Sequence, residues 1–360
     1  MTPMETIVTG PDGVLGDWPA FGLCSDVRPA LASAAAADND SALVTLYAAE
    51  GPAPHGVGAQ MLFTAQEAAG FLSGGCIEAD VAIHARAVLA DGAPRRLIYG
   101  RGGPPDIRLL CGARIEVLVE RLGREDAAAH RLIELWRARI PALWLTDGMR
   151  RACLAPGEGP QALSPPLREA YARAVADPGV SAPAQGGSGL YRIHDPQPRV
   201  VVAGADPTAL AIASLAATVG WATAFVRPKG PLAPPPIDGA AYLRAEAAAA
   251  LAALALDPWT AVAATSHDIE TDGAVLAAAL ASRAAYVGVL GSRRRVPERI
   301  AGLKAAGLDD AAIARLKAPI GLAVGAQTPW EIALAVVAEM VGEFRAQAAR
   351  RTWPAAPLKP

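Results

Sequence analysis

Between residues 199 and 306 short apolar runs alternate with helical patterns at a steady pitch, and this alternation restricts the fold more than any other feature. Apolar runs at 200–203, 222–226, 242–243, 261–265 and 285–290 are separated by helical stretches at 207–219, 246–255 and 270–282, with another at 293–306. Strands and helices in this order form right-handed βαβ units on a parallel sheet. A long Ala-rich helix at 329–348 closes the pattern. Aromatic residues are only 5% of the 360 although 52% are hydrophobic, so the core rests on Ala, Val, Leu and Ile.

The first half reads differently. Apolar runs at 43–48, 60–64, 68–72, 96–99 and 115–119 surround one helical pattern at 77–90, which Asp91-Gly92 ends. An amphipathic helix at 124–139 and two strand-like pieces within 142–155 follow. The expected fold class is α/β: an N-terminal α+β domain at 41–155, then a Rossmann-like doubly wound parallel-sheet domain at 199–348. Residues 1–40 read as an arm with one helix, and 349–360 as a disordered basic tail. The stretch 156–198 reads as a linker region, since it holds Pro156-Gly157, Pro165-Pro166, Pro178-Gly179 and Gln185-Gly186-Gly187-Ser188-Gly189.

A net charge of -2 provides no field for nucleic acid or an anionic membrane. The N-terminus lacks the basic start and apolar run of a signal peptide. Four cysteines without a C-x-x-C pair suit a reduced compartment, so a cytoplasmic location is expected. The uncharged stretch 207–226 has the length of a membrane span, but Pro207 and Gly220-Trp221 favour a buried helix turning into a buried strand.

In a doubly wound sheet, ligands bind at the carboxyl ends of the strands. There Gly204-Ala205-Asp206-Pro207 offers a tight turn, a cap and a first helical residue. A dinucleotide fingerprint wants glycine where Asp206 stands, so this loop reads first as a capped structural turn. Arg227 and Lys229 stand where a NAD enzyme offers an acid to a ribose; they suit a phosphate clamp and a solvated turn equally. His267 and Asp268 follow the run 261–265 at the same edge. Gly291, Ser292, Arg293 and Arg294 open a helix with amides, a hydroxyl and guanidinium groups, which reads first as an anion site and second as a solvated charge run. In the first domain Gly74, Gly75, Cys76 and Glu78 lead into a helix whose N-terminus favours a thiolate, and Cys111 stands beside Gly112. Either cysteine alone reads more readily as an ordinary small core residue.

Taken in order, these segments resemble the XdhC/CoxI family, accessory factors for molybdenum hydroxylases such as xanthine dehydrogenase. The residues that carry the resemblance are Gly58-Ala59-Gln60-Met61, Ser73-Gly74-Gly75-Cys76-Ile77-Glu78, Cys111-Gly112, His267-Asp268, Gly288-Val289-Leu290-Gly291-Ser292-Arg293-Arg294 and Thr328-Pro329. The resemblance implies a homodimer that binds the molybdenum cofactor (molybdopterin) transiently, protects it during sulfuration and aids its insertion into a hydroxylase. A cysteine desulfurase would be the second partner, and a carrier or chaperone is implied more than a turnover enzyme. Several positions depart from the family: its Gly-Ala-Gly loop reads Gly204-Ala205-Asp206, its acid after the second strand is Arg227, the Ser and Arg common before Gly58 are Pro52 and His55, and the second glycine after Cys111 is Ala113. The alternatives are a NAD(P)-dependent oxidoreductase, against which Asp206 and Arg227 count, and an assembly factor that holds no pterin, against which Cys76 and the 291–295 loop count.

Overall fold

The structure is a computed structural model that describes residues 15, 19–52, 55–107, 109, 111–178, 188–266 and 268–354. Two units divide the chain. The described residues up to Pro196 together with those from Arg351 onward form the first, and those of Gln197–Arg350 form the second.

The first unit contains α1 (Arg28–Ala36), β1 (Ser41–Glu50), β2 (Gln60–Phe63), β3 (Ala68–Gly70), α2 (Glu78–Asp91), β4 (Arg95–Gly100) and β5 (Arg114–Leu122). It continues with α3 (Ala127–Arg137), β6 (Ala142–Thr146), β7 (Arg151–Leu154), α4 (Pro165–Ala176) and β8 (Leu190–His194). One antiparallel sheet has the order β3-β2-β1-β5-β4, and a smaller one has β7-β6-β8. Strand β1 is apolar on both faces because both are covered. Ala42, Val44 and Leu46 pack with Val81, Ala85 and Val88 of α2, whereas Leu43 packs with Leu132 and Ile133 of α3. Gly92 takes a left-handed φ of 73° and ends α2 at the expected stop.

The stretch 156–198 is more than a linker. It carries α4 and β8, whose Leu167, Ala170, Ala174, Tyr191 and Ile193 build a core with Leu143 and Leu145 of β6. Pro165-Pro166, expected as a breaker, occupies the first turn of α4, where a missing N–H breaks no helical bond. Residues 179–187 of the Gly-rich tract lie outside the described residues. The expected tail also differs: Trp353 is buried in that same core, and Arg351 pairs with Asp195 at 2.6 Å. Residues 355–360 lie outside the described residues.

The second unit contains β9 (Arg199–Ala203), α5 (Pro207–Thr218), β10 (Ala222–Val226), β11 (Ala241–Leu243), α6 (Ala247–Ala253), β12 (Thr260–Ala264) and α7 (Ile269–Leu280). Then come β13 (Tyr286–Val289), α8 (Val296–Ala305), α9 (Asp310–Ile313), β14 (Leu316–Lys317) and α10 (Pro329–Ala349). All six strands are parallel in the order β11-β10-β9-β12-β13-β14, the doubly wound order of dinucleotide-binding folds. Strand residues alternate between two helical layers. Val200 and Val202 pack with Ile212 of α5 and with Val336 and Met340 of α10; Val201 and Ala203 pack with Leu251 of α6 and Leu276 of α7. The stretch 207–226 is α5 followed by β10, and among the described residues no helix is long and apolar enough to cross a membrane. The helix expected from 293 starts later. Arg293–Arg295 form a 3-10 turn and α8 begins at Val296, with Pro297 in its first turn.

Candidate functional site

The strand order reverses between β9 and β12, which brings the loops after β9, β10 and β12 together at the carboxyl edge of the sheet. They line a cavity of ≈ 700 Å³. Of the residues singled out by sequence, Gly204, Arg227, Lys229 and Asp268 lie on its wall, joined by Asp206, Glu246 and Glu270. His267 lies outside the described residues. Gly291, Ser292, Arg293 and Arg294 follow the next strand, β13; all four are exposed and none lines the cavity. Ser292 precedes only the three-residue 3-10 turn and gives it no side-chain hydrogen bond.

Local bonding explains much of the wall. Asp206 caps α5 by accepting from the Ala209 amide at 2.8 Å, so a carboxylate already occupies the anion position of that helix. Asp268 caps α7 in the same way. Bonds from the Thr271 hydroxyl and amide hold its carboxyl below the ordinary range, with Lys229 adding a smaller effect. Gly204 is required by packing, because a Cβ there would stand 2.1 Å from Oγ1 of Thr265. Two cations thus face four carboxylates, Asp206, Glu246, Asp268 and Glu270. This balance opposes a pyrophosphate. Fluorescence titration is expected to show no saturable NADH binding, and Asp206→Gly to tighten any residual binding. Saturation of the unaltered protein at micromolar NADH would restore the oxidoreductase alternative.

Sequence reasoning missed the pair behind this wall. Asp272 of α7 and Arg299 of α8 form an ion pair of 2.9 Å, with side chains 0% and 4% exposed. Asp272 also accepts from the amide and hydroxyl of Ser266, at 3.1 and 2.6 Å. Nη2 of Arg299 lies 3.4 Å from the Leu290 carbonyl. One buried pair therefore ties the loop after β12 to the end of β13. The only linear signal was Asp268 and Asp272 one turn apart at a helix start.

In the first unit, the strand registers place three loops at one end of the larger sheet. Glu50 and Gly100 both stand opposite Arg114, Gln60 opposite Thr45, and Gly70 opposite Met61. The loops 51–59, 71–77 and 101–113 therefore leave from the same edge. Cys76 and Cys111 are exposed free thiols on two of them. Their parent strands β3 and β5 are three positions apart, about 14 Å at ordinary strand spacing. Gly112 lines a hollow of ≈ 310 Å³ beside Cys111. Glu78, expected to touch a ligand, is buried and holds the turn instead. Its carboxylate accepts from the amides of Leu72, Ser73, Gly75 and Ile77 and from the Ser73 hydroxyl. Gly74, Gly75 and Cys76 are left exposed on the rim.

Sheet order and cavity define a protein of the Rossmann class joined to a thiol-bearing α+β unit. A family model described as the XdhC Rossmann domain matches residues 200–340, and one described as the XdhC and CoxI family matches residues 34–100. The chain belongs to the XdhC and CoxI family. It is 29% identical over 301 residues to the molybdenum cofactor insertion chaperone PaoD of Escherichia coli K12, across 83% of this chain and 81% of that protein. It is 26% identical over 324 residues to a probable xanthine dehydrogenase component of Bacillus subtilis 168, across 84% and 92%. A crystal structure described as a xanthine dehydrogenase from Bacillus halodurans shares the fold, with a TM-score of 0.71 at 23% identity, covering 89% of this chain and 96% of that one.

Proposed function

We propose that this protein is a molybdenum cofactor carrier that aids cofactor insertion into a molybdenum hydroxylase of the xanthine dehydrogenase kind. The observation that carries this reading is the likeness to PaoD, which runs through both units and most of both chains. The residues present fit such a cargo. The cavity volume lies within the range of small-ligand sites. A pterin brings N–H donors for carboxylates such as Glu246 and Glu270, and a single phosphate for Arg227 and Lys229. Gly204 and Asp268 complete that site, with Gly291, Ser292, Arg293 and Arg294 as a second anion contact along the same edge. Gly74, Gly75, Cys76 and Cys111 form the thiol-bearing rim, steadied by Glu78.

In this reading the cofactor is held transiently, protected during sulfuration by a cysteine desulfurase, and released to the hydroxylase by a cytoplasmic homodimer. A carrier of this kind performs no turnover of its own. One observation favours a NAD(P) enzyme, the cavity at the switch point of a dinucleotide-type sheet; the carboxylate-rich wall opposes it. The test is gel filtration of the purified protein after incubation with molybdopterin, followed by transfer to an apo-hydroxylase. Co-elution of the pterin absorbance and activation of the hydroxylase are expected. Absence of both would end the carrier reading.

The thiols give a separate prediction. Cys76 is expected to react with a maleimide at neutral pH in the folded protein, and added cofactor to protect it. Cys153 is the internal control, because it is buried and burial pushes its thiol up to about 12. If cofactor leaves Cys76 labelling unchanged and Cys76→Ala still supports full activation, the thiol has no role.

A further inference from the structure

Five charged side chains meet around β8 in the first unit, and they do not balance. Asp26 grips Arg28 with both oxygens, at 2.8 Å to Nε and 2.8 Å to Nη2. Nη1 of Arg28 donates to the Asp195 carbonyl at 2.8 Å, and the Asp195 carboxylate pairs with Arg351 at 2.6 Å. Both carboxylates are therefore engaged. Arg192 is the fifth. Among the described residues it makes no hydrogen bond or ion pair, and its Nε is buried without a partner. Its neighbour His194 offers no relief. Burial, then the charges of Arg192, Arg28 and Arg351, hold that imidazole well below its ordinary range, so it is neutral at pH 7.

Arg192 is half-buried, and its Nε is shut away from water without a partner, a group that costs free energy when left unsatisfied. Burial and the nearby Arg28 charge draw the Arg192 guanidinium down to about 10, which still leaves it charged at neutral pH. Its tip faces a turn rather than a wall. A Cβ on Gly58 would stand 3.5 Å from Nη1 of Arg192, and a Cβ on Gly56 would meet nothing within 4 Å among the described residues. Gly58 holds a left-handed φ of 94°, a conformation that keeps side chains out of that space.

We propose that Arg192 anchors an oxyanion site, in which a phosphate group seats on the 55–58 turn against the guanidinium fork. The planar fork donates two parallel bonds to such an oxyanion, while Arg28 and Arg351 raise the local potential without being free to ligate. The group is either inorganic phosphate or a phosphate monoester. The site lies in the first unit, apart from Arg227 and Lys229, and stands whether or not the protein carries a molybdenum cofactor.

The test uses the full chain in phosphate-free buffer, with Arg227→Gln, Lys229→Gln, Arg293→Gln and Arg294→Gln in the background so that the cations of the second unit contribute nothing. Inorganic phosphate and glycerol 3-phosphate are titrated in turn, by calorimetry and by thermal unfolding of the first unit. Either probe is expected to bind saturably and to raise the unfolding temperature. Tighter binding of the glycerol ester assigns a monoester, and the reverse assigns the free ion. Arg192→Met is expected to weaken binding about tenfold or more and to abolish the thermal shift. Arg192→Lys keeps the charge without the fork and should bind in between. An unchanged phosphate response in Arg192→Met, or no binding of either probe to the parent, overturns the proposal. So does a loss of stability of Arg192→Met without phosphate, which would make the side chain a packing element.

Discussion

Arg299→Met is expected to destabilise the second unit by about 3–5 kcal/mol, the usual result of removing one partner from a buried ion pair. Methionine replaces the apolar stem of arginine with little change in packing, so most of the loss comes from Asp272. That carboxylate is 0% exposed and would keep only its bonds from Ser266. The double variant Arg299→Met/Asp272→Leu should recover most of the stability, because neither charge is then buried alone. Urea unfolding followed at the second unit checks both expectations. A loss under about 1 kcal/mol in the single variant would mean that water reaches the carboxylate. Ligand binding at the cavity should weaken in the single variant too, since Asp272 anchors the Ser266 end of the wall.

Glu78→Ala has the second large effect. Four amides and one hydroxyl lose their acceptor at once, and Leu72, Ser73 and Ile77 are buried. Each buried donor left unpaired costs about 1–3 kcal/mol, but the turn will open to water before bearing the full sum. A net loss of about 3–5 kcal/mol in the first unit is expected on that basis. Amide hydrogen exchange supplies the local readout: the Leu72, Ser73, Gly75 and Ile77 amides should lose protection while those in β1 and β5 keep theirs. If their protection survives in Glu78→Ala, the Ser73 hydroxyl alone holds the turn, through its bonds to the Cys76 and Ile77 amides at 3.1 and 3.4 Å.

The second unit was legible almost element by element. Its central strands are uninterrupted apolar runs, buried on both faces, and Asp206-Pro207 and Asp268 mark helix starts by their own chemistry. The 165–176 helix was hidden because Pro165-Pro166 supports two opposite readings, a breaker and a first turn, and only the apolar spacing of Leu167, Ala170, Tyr171 and Ala174 separates them. Strand β14, two residues long, is too short for any periodicity. At the site, Asp206 as a cap and the cations after β10 could be placed from sequence, because position along a βαβ unit determines which edge a loop occupies. Asp272 with Arg299, 27 residues apart, could not. Neither could Arg192, whose isolation depends on partners taken by Arg28 and Arg351. Glu78 was located correctly in sequence and given a ligand, whereas its oxygens face inward to the turn that carries Cys76.

Trp353 bears on how the molecule is made. The small-sheet core of the first unit takes its indole from beyond α10, so that unit is assembled from two stretches of chain separated by the whole of Gln197–Arg350. Synthesis runs in one direction, and domains fold as their residues emerge. The second unit, being continuous, can complete itself first although it is encoded later. The α4–β8 region waits, with Leu143, Leu145 and Tyr191 short of a partner, until residue 353 has been polymerised. A chain that ends at residue 350 would therefore keep every element of the second unit and leave the small-sheet core of the first without its indole.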